Sequence, residues 1–260
     1  MLERWFGVNA SAIVQVWRRN ALVWRKLAAA SLMANVIDPV MALMAFGLGV
    51  GSLVNTVEGQ PYLQYLAVGA VCISAMNAPT FEALYSAFSR MQVQKTWQSI
   101  MNTPVRLREV VLGECFWAAA KGCISTACMM VVLALLGVGD GLFWLVGWCL
   151  LALACVMYAA LGLCVNARAP SYDFFMFYFT LFITPQTFLS GAFFPRRQFP
   201  EWLQWLAQCL PLSLVVDCMR ALHDHRFSAM PALLLGMLVY TGLGMWGAVQ
   251  LSERRFAKVS

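Results

Sequence analysis

Four ionisable residues lie inside otherwise apolar stretches of the chain: Asp38, Glu82, Glu114 and Lys121. A charge is costly in hydrocarbon and persists there beside a partner, a wet cavity or the interior of a helix bundle. Glu114 and Lys121 are seven residues apart, a spacing that returns both side chains to one helix face after two turns. Two kinds of chemistry fit the set: a polar wall that hydrates or gates a pathway, or ion pairs that fix one helix against another. A carboxylate near the lysine stays charged, whereas an isolated one takes up a proton. Proton- or sodium-coupled transport through these groups is a further reading, and a lipid-modifying enzyme built on Glu82 or Glu114 is another. The enzyme reading lacks a metal, nucleophile or histidine constellation, because His223 and His225 fall in a different segment. GxxxxGK[ST], GxSxG and HExxH are all absent, so nothing in the chain is expected to cradle a nucleotide phosphate, bind a cofactor or hold a metal. The cysteines show no CxxC or Cys/His spacing and sit mostly in apolar runs, where they act as small hydrophobes.

The elements that must position these residues are membrane spans. Hydrophobic residues make up 61% of the chain and charged residues 12%, against about 45–50% and 25% in soluble domains. Several apolar stretches approach the roughly 20 residues that cross a bilayer as a helix. Spans are expected at about 31–54, 62–88, 110–137, 142–165, 173–194 and 230–251. The fold class is therefore all-α and polytopic, with a single transmembrane domain over 1–260. The net charge of +6 does not imply nucleic acid, since the basic residues form short clusters between the spans, as the positive-inside rule expects. Segment 55–61 and the turn near Val138 hold no Lys or Arg. Arg90, Lys95, Arg106 and Arg108 lie in 89–109, Arg168 in 166–172, and Arg254, Arg255 and Lys258 in the tail. Both termini and these two connections are placed in the cytoplasm, and no cleavable signal peptide is read.

Three connecting segments stand out. Residues 12–28 put Arg18, Arg19, Arg25 and Lys26 on one arc and Ile13, Val14, Trp17, Ala21 and Trp24 on the other. They read as an interfacial helix among membrane lipids or as a basic flank that fixes topology. In 89–109, Trp97, Ile100 and Met101 form an apolar edge beside Arg90 and Lys95, and Asn102-Thr103-Pro104 stops the helix. This short helix either docks in a groove of a cytosolic partner or lies on the membrane. The third segment, 195–229, falls outside with Arg196, Arg197, Arg220 and Arg226, which breaks the charge rule for a plain loop. Phe199, Trp202, Leu203, Trp205 and Leu206 are too apolar for open water, and Pro195, Pro200 and Pro211 mark helix starts or breaks. A pair of re-entrant external helices, or an amphipathic helix flat on the outer surface, accounts for it. Ser190, Gly191 and Ala192 supply a close-packing bend, and with Phe194, Pro195, Arg196, Arg197 and Pro200 they form a candidate external gate.

Several stretches resemble the membrane subunit of type-2 ABC exporters, within it the NodJ-like group of lipo-oligosaccharide export permeases. They are Val16-Trp-Arg-Arg-Asn with Val23-Trp-Arg-Lys-Leu, Thr80-Phe-Glu with Tyr85, and Val111-Leu-Gly-Glu. Ala169-Pro-Ser-Tyr-Asp, Phe182-Ile-Thr-Pro, Leu189-Ser-Gly-Ala and the Phe194-Pro exit follow. The resemblance covers nearly the full length. It implies six spans in the bacterial inner membrane, an interface helix, a coupling helix after the second span, and external re-entrant helices before the sixth. It further implies a homodimer working with two copies of a cytosolic ATPase subunit that holds ATP and Mg. Arg90, Lys95, Trp97, Ile100, Met101, Thr103 and Pro104 become candidates for ATPase coupling, and an amphipathic glycolipid the expected substrate. Drug exporters of the same wider family are the alternative. The Arg196-Arg197 pair after Phe194-Pro is more basic than this group leads one to expect.

Overall fold

The computed structural model describes residues 8–54 and 56–257, nearly all of them helical. Helix α1 (Ala10–Trp24) turns tightly into α2 (Ala28–Gly49), and a two-stranded hairpin, β1 (Thr56–Val57) with β2 (Gln60–Pro61), leads into α3 (Tyr62–Phe81). After α4 (Thr96–Met101) come two long helices, α5 (Leu107–Leu135) and α6 (Gly141–Arg168). The shorter α7 (Asp173–Tyr178), α8 (Thr184–Leu189), α9 (Glu201–Gln208) and α10 (Pro211–His223) precede the long α11 (Met230–Ala257).

Among the described residues four helices are long and apolar enough to cross a membrane: Tyr62–Val93, Leu107–Leu135, Phe143–Arg168 and Phe227–Ala257. The sequence placed spans over all four, within a few residues at each end. Helices α9 and α10 meet at 86° and pass the same test only when taken as one bent pair. Their bend follows from the prolines: Pro200 caps the start of α9, and Pro211 occupies the first turn of α10, where its missing N–H costs nothing. The stretches 31–54 and 173–194 are largely helical too, as α2 and as α7 and α8 joined by a wide turn at Phe179–Ile183.

Helix α6 lies at the centre and packs on α3, α5 and α11. Small residues allow the close approach, as is common between membrane helices: Gly162 meets Ala83, and Gly122 faces Pro79 and Cys155. Side-chain contacts then sort the connections into two ends. At one end, Gln60 Nε2 donates to Asp224 Oδ1 at 2.8 Å, and His225 Nε2 lies 3.4 Å from Asp140 Oδ2. At the other, Arg255 Nη1 donates to the carbonyls of Asn166 and Ala169, each at 2.9 Å, and Trp97 stacks on Phe256. Segment 55–61 and the turn near Val138, both without Lys or Arg, thus gather at one end together with the arginine-bearing 195–229, and 89–109, 166–172 and the tail gather at the other.

Helix α1 does not lie free of the bundle. Ala12, Val16 and Asn20 are its buried stripe, whereas Val14, read as part of the apolar arc, is 56% exposed. The reason is close packing on α5: a Cβ at Gly113 would strike the Val16 side chain and crowd the Ile13 carbonyl. Trp17 and Trp24 each meet Trp117 edge-on, and the Asn9 N–H donates to Glu109 Oε1 at 2.9 Å. Gly113→Val is therefore expected to lift α1 off α5, costing about 1–3 kcal/mol. Limited trypsin digestion reads this as faster cleavage at Arg18, Arg19 and Arg25; an unchanged rate would count against this seating of α1.

Candidate functional site

The intramembrane charges and the 89–109 segment meet at one place. Arg90 donates from Nε to both Glu114 oxygens, at 3.0 and 3.1 Å, and from Nη2 to Glu114 Oε2 at 2.6 Å. The same Nη2 donates to Glu82 Oε1 at 2.9 Å, and Lys121 Nζ reaches Glu82 Oε2 at 2.9 Å. Two indoles complete the set: Trp97 Nε1 donates to Glu114 Oε1 at 3.1 Å and Trp117 Nε1 to Glu82 Oε1 at 2.8 Å. The Glu114 side chain is 1% exposed and that of Glu82 4%, against 14% for Arg90 and 13% for Lys121. Two carboxylates and two cations cancel, and every carboxylate oxygen has a donor, which is what a buried ionic cluster requires.

Local geometry brings these residues together. Pro79 removes a donor from α3, and the helix then continues to Val93 through wide turns at Glu82–Ser86 and Ser89–Val93. At 3.6 residues per turn, positions eight apart are rotated by roughly 80°. Turns closed by i→i+5 bonds, such as Ala87 N–H to Glu82 O, advance less per residue and swing Arg90 toward Glu82. Glu114 and Lys121 do share a face of α5, yet they do not join each other; each takes a partner from α3 or its extension. Asp38 lies in α2, and its side chain falls outside the described residues. Among the described residues no three His, Cys, Asp or Glu side chains gather as a metal site would need.

Helix α4 is pinned by the edge that the sequence presents as a docking face. Trp97 is buried, and Ile100 and Met101 pack on the core. Lys95, with φ of 51° in the left-handed region, makes the reversal from α3 into α4. The surface left open comprises Lys95, Gln98, Ser99, Asn102, Thr103 and Pro104. Arg90 belongs to the buried cluster rather than to that surface.

Lys121, Tyr85 and Ser86 stand between two cavities. One, of about 450 Å³, reaches Arg19, Asn20 and Trp24 of α1. The other, of about 690 Å³, is lined mainly by apolar side chains of α2 and α3, and it ends at Phe193. Phe193 belongs to the bend after α8. There Gly191 adopts φ of 89°, and its carbonyl accepts from Tyr65 Oη at 2.9 Å and Arg220 Nη2 at 2.5 Å. Ser190 is fully buried, its Oγ accepting from the Ala192 N–H at 3.3 Å. Arg196 pairs with Asp217, and Arg226 with Asp224. Pro195 is buried, while Phe194, Arg197 and Pro200 are exposed. Tyr65 and Trp117 were not picked out from the sequence, since a single hydroxyl or indole in an apolar run carries no periodic signal.

Comparison with known proteins assigns this arrangement. The model of the ABC-2 type transporter family matches residues 11–223. The chain belongs to that family. Nodulation protein J of Bradyrhizobium diazoefficiens is 42% identical over 251 residues, covering 96% of each chain. Nodulation protein J of Rhizobium leguminosarum bv. trifolii is 46% identical over 207 residues, 80% of this chain and 79% of that one. The inner membrane transport permease YadH of Escherichia coli is 22% identical over 213 residues, 80% of this chain and 81% of its own. No solved structure matches. The protein is thus a multi-pass ABC-2 permease, a transport subunit, related over most of its length to proteins named for nodulation.

Proposed function

We propose that this permease is the membrane half of an ATP-driven exporter that moves a lipo-oligosaccharide or similar lipid-linked glycan across the bacterial inner membrane. Helix α2 and the α7–α8 segment complete six crossings, both termini face the cytoplasm, α1 sits at the inner leaflet, and α9–α10 dip into the outer one. Two copies of the chain work with two cytosolic ATPase subunits, which carry the ATP and Mg. The observation that carries this reading is Glu114, held at once by Trp97 of α4 and by Arg90 at the end of α3. Any push on α4 is thereby passed to α3 and α5, whose Tyr85 and Lys121 line both cavities. The resemblance to lipo-oligosaccharide export permeases, alongside relatives named Nodulation protein J, is the ground for taking a glycolipid rather than a drug as cargo.

The test lies on the open face of α4. Reversing charge there with Lys95→Glu and Gln98→Glu is expected to reduce retention of the ATPase, and export, about tenfold or more. Stability should stay within about 0.5 kcal/mol because these positions are exposed. Export and ATPase retention both at the parent level would exclude this docking face.

A further inference from the structure

We propose that the outer end of the chain holds an oxyanion site for a phosphate or sulfate group carried on an amphiphile, in the cavity between α9, α10 and the start of α11. This cavity measures about 760 Å³ and is lined by Arg196, Arg197, Arg220 and Arg226, against Glu58 and Asp217. Pairing sorts these charges. Asp217 takes Arg196, and Asp224, just outside the lining, takes Arg226. Among the described residues Arg220 has no carboxylate partner; the Gly191 carbonyl accepts from it and the face of Tyr65 lies 3.7 Å from its guanidinium carbon. Arg197 is exposed and has no carboxylate partner among the described residues. Among the described lining residues two guanidinium groups, Arg197 and Arg220, thus share the cavity with Glu58 as the carboxylate left over, while Arg196 Nη1 and Arg220 Nε are buried with no hydrogen-bond partner there. Planar guanidinium forks suit tetrahedral oxyanions.

The size of the cavity and its surroundings identify an amphiphile rather than a bare ion. A volume of that order holds a small molecule. Helix α9 turns Gln204 and Gln208 to the cavity, while its Trp202 and Trp205 are about 70% exposed on the other side. Indoles at that position favour a bilayer interface. A charged group in the cavity and apolar chains beside α9 satisfy both faces at once.

Full-length protein in neutral detergent, melted in sodium sulfate and in sodium chloride of equal ionic strength, tests the site with sulfate as the probe. Because sulfate also stabilises proteins generally, variants decide the outcome. Arg197→Gln is expected to weaken the apparent sulfate affinity about tenfold, and Glu58→Gln to strengthen it several-fold. The second variant gains binding, so misfolding cannot imitate it. Identical sulfate responses in parent and both variants would overturn the proposal. Displacement of sulfate by short-chain phosphatidylglycerol assigns the group to a lipid headgroup; failure of that lipid to displace it assigns the group to another anionic amphiphile, and either result upholds the site. Neither ATPase nor export enters the assay, so its failure leaves the transport reading untouched.

Discussion

Replacing Glu114 by alanine is expected to destabilise the permease by about 3–5 kcal/mol and to lower its melting temperature in detergent by roughly 6–20 °C. The loss has two parts. Arg90 forfeits three of its four carboxylate hydrogen bonds, and Trp97 forfeits its acceptor. Glu82 then faces both Arg90 and Lys121 alone, leaving a net positive charge where the Arg90 and Lys121 side chains are only 14% and 13% exposed. A buried cation without a counter-ion costs far more than a paired one returns. The double variant Arg90→Met with Glu114→Leu removes both partners together and is expected to recover most of the stability, since apolar replacements of buried pairs are often neutral. Transport should not recover with it, because the Glu114 carboxylate that joins Trp97 of α4 to Arg90 is still missing, although Lys121 and Trp117 keep their bonds to Glu82. A single variant that melts with the parent would show that the cluster bears no structural weight; a double variant that exports normally would sever it from coupling.

The parts of the molecule that sequence made legible are those governed by solvent. Spans at 62–88, 110–137, 142–165 and 230–251 correspond to long helices because lipid demands unbroken apolar runs with internally satisfied backbone. The non-basic connections, 55–61 and the turn near Val138, likewise lie at one end of the bundle and the basic 89–109 and 166–172 at the other, with the arginine-bearing 195–229 the exception that joins the first end. What sequence left open was partner choice. Seven-residue spacing placed Glu114 and Lys121 on one face, but only tertiary packing and the wide turns after Pro79 decided that they bind Arg90 and Glu82 instead. Amphipathicity likewise showed that α4 has an apolar edge without showing that Phe256 and the core cover it. Of the arginines of 195–229, Arg196 and Arg226 take the carboxylates of Asp217 and Asp224, while Arg197 stays exposed without one among the described residues. Arg220 is held by a carbonyl 29 residues upstream and by a ring still further off at Tyr65, neither of which a local window contains.

The bend after α8 rests on Gly69 in a way that makes one methyl group decisive. A Cβ at Gly69 would overlap the carbonyl oxygen, carbonyl carbon and Cα of Ala192. These are backbone atoms, so no rotamer change relieves the clash. Tyr65, one turn earlier on the same face of α3, meanwhile holds the Gly191 carbonyl through its hydroxyl. Gly69→Ala therefore levers the bend away from α3 while Tyr65 and Arg220 pull it back, and one side must give. Overpacking alone costs about 1–3 kcal/mol, and loss of the charge-assisted bond from Arg220 adds about 1.5–3 kcal/mol. A destabilisation of about 2.5–6 kcal/mol is expected, with the bend opening before the helices separate. Ser190 reports the opening directly, since it is fully buried in the closed bend. In a Ser190→Cys background, a membrane-impermeant maleimide should label residue 190 slowly in the parent and about tenfold faster once Gly69→Ala is added, as read by peptide mass spectrometry. Equal labelling at residue 190 in both backgrounds would mean that the bend does not depend on its contact with α3, and the reading of Ser190, Gly191 and Ala192 as a close-packing bend of a gate would fall with it.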